Sequence, residues 1–101
     1  MQYIITAYDT ADADALDRRM RVRPRHLENM QKVMEENRVL CAGGITNEAG
    51  APVGSFLLLE FPPREELDRY LETEPYLTDK VWEKIRVEPC SAVILDNRMG
   101  L

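Results

Sequence analysis

Histidine and cysteine are scarce: the 101 residues hold one histidine, His26, and two cysteines, Cys41 and Cys90. One imidazole and no C-x-x-C pair cannot assemble a recognisable zinc set, so no metal is expected. Each cysteine sits in an apolar, strand-like run and reads as a buried thiol, not as half of a disulfide. No apolar run approaches the roughly 18 residues of a membrane span, so no membrane segment is expected. The N-terminus also lacks the basic-then-apolar layout of a secretory signal, which makes the cytoplasm the expected location. Basic residues are in deficit as well. Thirteen Lys and Arg against eighteen Asp and Glu leave a net charge of −5, the wrong sign for a surface that tracks phosphates. Nucleic acid is therefore not an expected partner.

What the chain does have is the patterning of one small core. Gln2 to Tyr8 is β-branched and aromatic, and reads as a strand with two largely buried faces. The acidic run Asp9 to Asp14 leads into a helix whose first turn its carboxylates favour. Leu16, Met20, Leu27, Met30 and Met34 fall on one helical stripe. Pro24 interrupts it, which predicts a helical turn, a break, and a main helix with Pro24 and His26 in its first turn. Arg38 to Thr46 reads as a strand, Asn47 to Pro52 as a hairpin loop, and Gly54 to Phe61 as a central strand with two mostly apolar faces. Pro62-Pro63 ends that strand, and Arg64 to Thr73 carries Leu67, Tyr70 and Leu71 at helical spacing. Val81 to Glu88 alternates Glu83, Ile85 and Val87 against Trp82, Lys84 and Arg86, as a half-exposed strand would. The tail from Asp96 to Leu101 gives no reason to order by itself.

Strand, helix, two hairpin strands, helix, strand is the order of a ferredoxin-like split βαβ sandwich, an α+β fold with an antiparallel sheet and both helices on one face. Leu57, Leu59 and Ile94 would leave the far face too apolar for a monomer, so a homodimer is expected.

His26 carries the one side chain here suited to shuttling protons near neutrality. Arg19, Arg21, Arg23 and Arg25 surround it in an otherwise acidic chain. A guanidinium fork can hold a substrate carboxylate or phenolate, or the arginines can pair with Asp14, Asp17 and Glu28 on a solvated helix face. Arg23, beside the proline, is the better binding candidate. Glu74 precedes Pro75 at the end of the second helix. If both helices share a sheet face, its carboxylate can orient His26 as a dyad; otherwise it is an ordinary helix-end charge. Ser55 opens the central strand and can donate to a substrate oxygen or bond the backbone, without being a nucleophile signal. Gly43-Gly44 has neither the spacing nor the following helix of a phosphate loop.

The segment Leu16 to Leu27, LDRRMRVRPRHL, resembles the signature of the YCII-related (YciI-like) family. The resemblance continues through Ala42-Gly43, Gly54-Ser55, Glu74-Pro75-Tyr76 and Val87-Glu88-Pro89. It implies one YCII-related domain over residues 1–101 with the fold of the dimeric α+β barrel proteins, akin to muconolactone-isomerase-type and dehydrochlorinase-type proteins. It also implies a cleft holding a histidine and an acidic residue as a catalytic pair, here His26 and Glu74. The family's acidic residue is usually an aspartate in an Asp-Pro-aromatic motif, and Glu74 is one methylene longer.

The resulting expectation is a small cofactor-free enzyme performing elimination, isomerisation or hydrolysis on a small anionic or aromatic-derived substrate. His26 would move a proton and Glu74 would orient it, while Ser55 and Arg23 bind an oxygen and Tyr76 lines the pocket. The rival readings are a non-catalytic dimeric module that binds a small ligand or a protein in the same cleft, and a purely structural oligomer.

Overall fold

A computed structural model describes residues 1–100. The elements run β1 (Gln2–Asp9), α1 (Ala15–Glu35), β2 (Val39–Thr46), β3 (Pro52–Glu60), α2 (Arg64–Thr73), the short α3 (Pro75–Thr78), β4 (Trp82–Cys90), β5 (Ile94–Leu95) and β6 (Arg98–Met99). The four long strands form one antiparallel sheet in the order β2-β3-β1-β4, the ferredoxin-like arrangement. As its two apolar faces require, β3 lies inside the sheet.

The inward residues Tyr3, Ile5 and Ala7 of β1 and Leu57 and Leu59 of β3 meet Val22, Met30 and Val33 of α1 and Leu67 and Tyr70 of α2 in one core. Leu57 and Leu59 therefore face the helices, and Ile94 lies outside the main sheet. The outer face instead carries Ile4 opposite Leu58 and Thr6 opposite Phe56. Central β1 and β3 approach closely because Gly54 has no side chain. A Cβ there would stand 2.4 Å from the Ala7 carbonyl oxygen.

Three local expectations fail for identifiable reasons. Helix α1 runs unbroken through Pro24. Pro24 removes one helical donor, that for the Met20 carbonyl, at an exposed stretch of the helix, and packing of Val22 before it and Met30 after it holds the helix together. Of the methionine and leucine stripe only Met30 is buried. Leu16, Met20, Leu27 and Met34 remain about half exposed, because Arg19, Val22 and Val33 take the core side. In β4 the register skips Glu83, with Tyr8 opposite Lys84 and Asp9 opposite Trp82. This bulge turns Trp82 inward, against the strict alternation of the strand.

The tail also orders further than its composition suggests. Asp96 and Asn97, at φ 52° and 58°, make the tight turn of the β5-β6 hairpin. Gln2 Oε1 accepts from the Ala92 amide and ties this segment to β1. Leu101 lies outside the described residues. Cys41 is exposed on edge strand β2 and Cys90 is half-buried, so neither is the buried thiol expected.

Replacing Gly54 by alanine forces the two central strands apart. Gly54→Ala is expected to cost about 1–3 kcal/mol, read as a lower urea midpoint at unchanged slope. A midpoint equal to that of the parent contradicts this packing.

Candidate functional site

The site begins with a buried carboxylate. Glu74 closes α2 and caps α3, accepting the Tyr76 backbone N–H at 3.1 Å on Oε1. Pro75 at the first position of α3 has no N–H to be satisfied. No part of Glu74 is exposed. A buried charge of this kind needs donors, and they come from two helices. Tyr70, one turn earlier on α2, donates its hydroxyl to Oε2 at 2.5 Å, and His26 Nδ1 of α1 lies 2.5 Å from Oε1.

This network sets the histidine tautomer. An ionised carboxylate only accepts. Burial and the neighbouring Glu74 charge push the Tyr70 hydroxyl pKa far up, so Tyr70 stays a donor. The same hydroxyl lies 3.2 Å from Met30 Sδ, but its single hydrogen serves the shorter bond to the carboxylate. Nδ1 must then carry its hydrogen, so whenever the ring is neutral its free lone pair is on Nε2. Ring orientation is fixed too: the imidazole stacks on Tyr76 at 4.0 Å between centroids with planes 10° apart, and meets Trp82 edge-on at 6.4 Å.

A second network lies two turns earlier on α1. Arg19 is buried and donates Nη1 to both carboxylate oxygens of Asp9, at 2.9 and 3.0 Å, and Nη2 to Ser55 Oγ at 2.8 Å. Its guanidinium carbon stands 4.8 Å over the Tyr76 ring. Seven helical residues, about 10 Å of rise, separate Arg19 from His26, so the Tyr76 ring fits between them. Ser55 also accepts the Trp82 indole N–H at 3.1 Å.

His26, Tyr76, Ser55 and Arg23 all line one cavity of about 480 Å³ between α1 and the β2-β3 edge of the sheet. Leu27, Met30 and Met34 supply its apolar wall. Glu74 stands behind the imidazole and does not line the cavity. Arg23 is exposed, has no ion-pair partner among the described residues, and with Arg19 lowers the Tyr76 hydroxyl pKa, which burial raises by more. Arg25 pairs with Asp79, not with an acidic residue of its own helix. A second cavity of about 460 Å³ lies between α1 and α2 on the other side of Tyr70 and contains none of these four groups.

The profile of the YCII-related domain matches residues 1–91. The chain belongs to the YCII-related family. Its relatives include Protein YciI of Escherichia coli, 35% identical over 99 residues that span 92% of this chain and 99% of that one. Aspercryptin biosynthesis cluster protein B of Emericella nidulans is 29% identical over 77 residues, or 69% of this chain and 49% of its own. Among solved structures, 5-chloro-2-hydroxyhydroquinone dehydrochlorinase from Burkholderia phenoliruptrix, in complex with 2,5-dihydroxybenzoquinone, superposes with a TM-score of 0.77 at 19% identity. That match covers 90% of this chain and 94% of the other. A crystal structure of an antibiotic biosynthesis monooxygenase gives 0.55 at 23% identity over 92% and 99% of the two chains. These two likenesses show the shared fold.

In this family member four of the five residues singled out in the sequence line one cavity, and the fifth, Glu74, stands behind His26. The sequence reading missed Tyr70, Asp9 and Trp82, and placed Arg19 only within a basic cluster. The i, i+4 spacing of Tyr70 and Glu74 on one helix was the signal available for the first. No local signal pairs Asp9 or Trp82 with the others, because the β4 bulge and the β1-β3 register create those contacts.

Burial holds the Asp9 carboxyl above the ordinary aspartate value, outweighing the Arg19 bonds that pull it down. The folded chain thus takes up this proton at higher pH than the unfolded chain does. Asp9's contribution to stability is full below the unfolded value of about 3.9 and declines as pH rises through the folded one. Asp9→Asn is expected to flatten that part of the stability curve, measured as urea midpoints across the acid range. A curve of unchanged shape contradicts the assignment.

Proposed function

We propose that the protein is a small acid–base enzyme whose cleft binds an anionic or aromatic-derived compound and whose His26 moves a proton on it. The observation that carries this reading is the buried Glu74 carboxylate, which holds Nδ1 and leaves Nε2 as the basic atom at the cavity. In the proposed step, Nε2 takes a proton from an acidic C–H or O–H of the substrate. The electron pair left behind moves toward an oxygen held by Ser55 and Arg23, and from there it re-forms a bond at another carbon or expels a leaving group. The imidazolium that forms is stabilised by Glu74 and returns its proton to the product or to water. Tyr76 holds the ring in plane. The dehydrochlorinase that shares this fold acts on a chlorinated hydroxyhydroquinone, which makes halogenated hydroquinones the first substrates to try, followed by small lactones and enol acids.

We further infer that the active form is a homodimer. Ile4, Leu58 and Phe56 on the outer sheet face form an apolar patch that a second copy would cover. Light scattering at micromolar concentration is expected to give twice the chain mass; a monomer refutes this part alone.

Screening these compounds by thermal shift and then by turnover tests the main reading. His26→Asn is expected to lower kcat at least about 10²-fold with KM little changed. Tyr70→Phe leaves Oε2 short of a donor and is expected to cost about 1–3 kcal/mol of stability and to alter the pH profile of kcat. Ligands that bind with no turnover, and with equal affinity for His26→Asn, identify a binding module in place of an enzyme.

A further inference from the structure

Ser55 is buried, lines the cavity, and uses its oxygen in an unusual way. A hydroxyl has two lone pairs and one hydrogen. Arg19 Nη2 at 2.8 Å and Trp82 Nε1 at 3.1 Å both donate to Oγ, and neither can accept anything in return. Both lone pairs are thus taken by protein donors. The hydroxyl hydrogen is the only bonding capacity left, and no acceptor is paired with it among the described residues. The donors are themselves held in place. Asp9 clamps the other arm of the Arg19 fork with two bonds, and the β4 bulge turns the Trp82 ring inward against Tyr76 at 5.7 Å between centroids.

We propose that Arg19, Asp9 and Trp82 are positioning residues that make Ser55 a one-way donor, so that the group bound at Ser55 must present it with a lone pair, as a carbonyl, enolate or phenolate oxygen does. Such an oxygen completes the Ser55 hydroxyl. An N–H or O–H hydrogen turned toward Ser55 meets an oxygen with no lone pair to offer and loses its own hydration without compensation. The same arrangement removes Ser55 from nucleophilic chemistry, since the electron pairs that would attack are already engaged. It also sets the polarity of the cleft, with a donor at Ser55 and an acceptor at His26 Nε2. The inference rests on the cleft being the substrate site, as proposed above, and adds which end of the substrate faces the sheet.

Two probes of nearly equal shape separate the chemistry: pentafluorophenolate, which offers an accepting oxygen, and pentafluoroaniline, which offers N–H donors. Calorimetry on the intact protein is expected to show that Ser55→Ala weakens pentafluorophenolate by about tenfold or more and leaves pentafluoroaniline unchanged. Trp82→Phe frees one lone pair of Oγ, and pentafluoroaniline is then expected to bind more tightly than to the parent. A structural role for Trp82 would weaken both probes. Should Trp82→Phe fold poorly, the parent protein supplies the second measurement. Its single tryptophan gives one indole N–H proton resonance, which saturation with pentafluorophenolate is expected to move and which Ser55→Ala is expected to leave unresponsive. Equal losses of both probes in Ser55→Ala, an indole resonance that ignores bound phenolate, or no binding of either probe to the parent overturns the proposal. His26→Asn distinguishes the two readings. If it weakens pentafluorophenolate while Ser55→Ala does not, the imidazole is the anchor and the one-way donor is refuted, while acid–base turnover stands on its own test.

Discussion

The site depends on one carboxylate kept out of water. Glu74 lies at the junction of α2 and α3 with no exposed surface, and a charge in that place is tolerated only because every direction around it offers a donor: the Tyr76 amide, the Tyr70 hydroxyl and the His26 ring. Removing one partner would leave a buried charge short of a bond, so the three are tied together. Their positions in turn require α1 and α2 to lie side by side on the same sheet face. The ferredoxin-like order achieves this, and the functional geometry is thus a consequence of topology more than of any local motif.

Arg19 and Asp9 repeat the logic with the opposite sign. A buried guanidinium is neutralised by a buried carboxylate, and the pair adds little to stability while fixing where Ser55 and Tyr76 sit. Between the two networks the Tyr76 ring acts as a spacer. The cavity beside it has one apolar wall from α1, one polar edge from His26 and Ser55, and on its lining a cation, Arg23, with no ion-pair partner among the described residues. Under the proposed function, that combination would take a small ring compound bearing an acidic or oxygen substituent.

Much of this was legible in the residues. The strands read from Gln2 to Tyr8 and from Gly54 to Phe61, and the helix from Arg64 to Thr73, match the elements closely, because alternation and helical spacing there agree with burial. The meeting of His26 and Glu74, 48 residues apart, followed from topology together with the family resemblance. Other features were hidden for physical reasons. Pro24 breaks a helix in isolation, whereas here tertiary packing on both of its sides outweighs one missing bond. Trp82 points inward only because of a bulge that the β1 register sets, and no property of the sequence around Trp82 announces it. The choice of Arg23 rested on its place beside the proline, and nothing local marked Arg19. Arg19 falls on the core side of the helix, where Asp9 and Ser55 await it from two different strands.

The central claim is a protonation pattern, and the single histidine makes it directly measurable. Nitrogen-15 spectra of the uniformly labelled protein, recorded with the imidazole neutral, distinguish a ring nitrogen that carries hydrogen from one that does not. The account predicts Nδ1 protonated and Nε2 bare, with the pattern lost in Glu74→Gln. A ring protonated at Nε2, or one exchanging freely between tautomers as a solvated imidazole does, would contradict it.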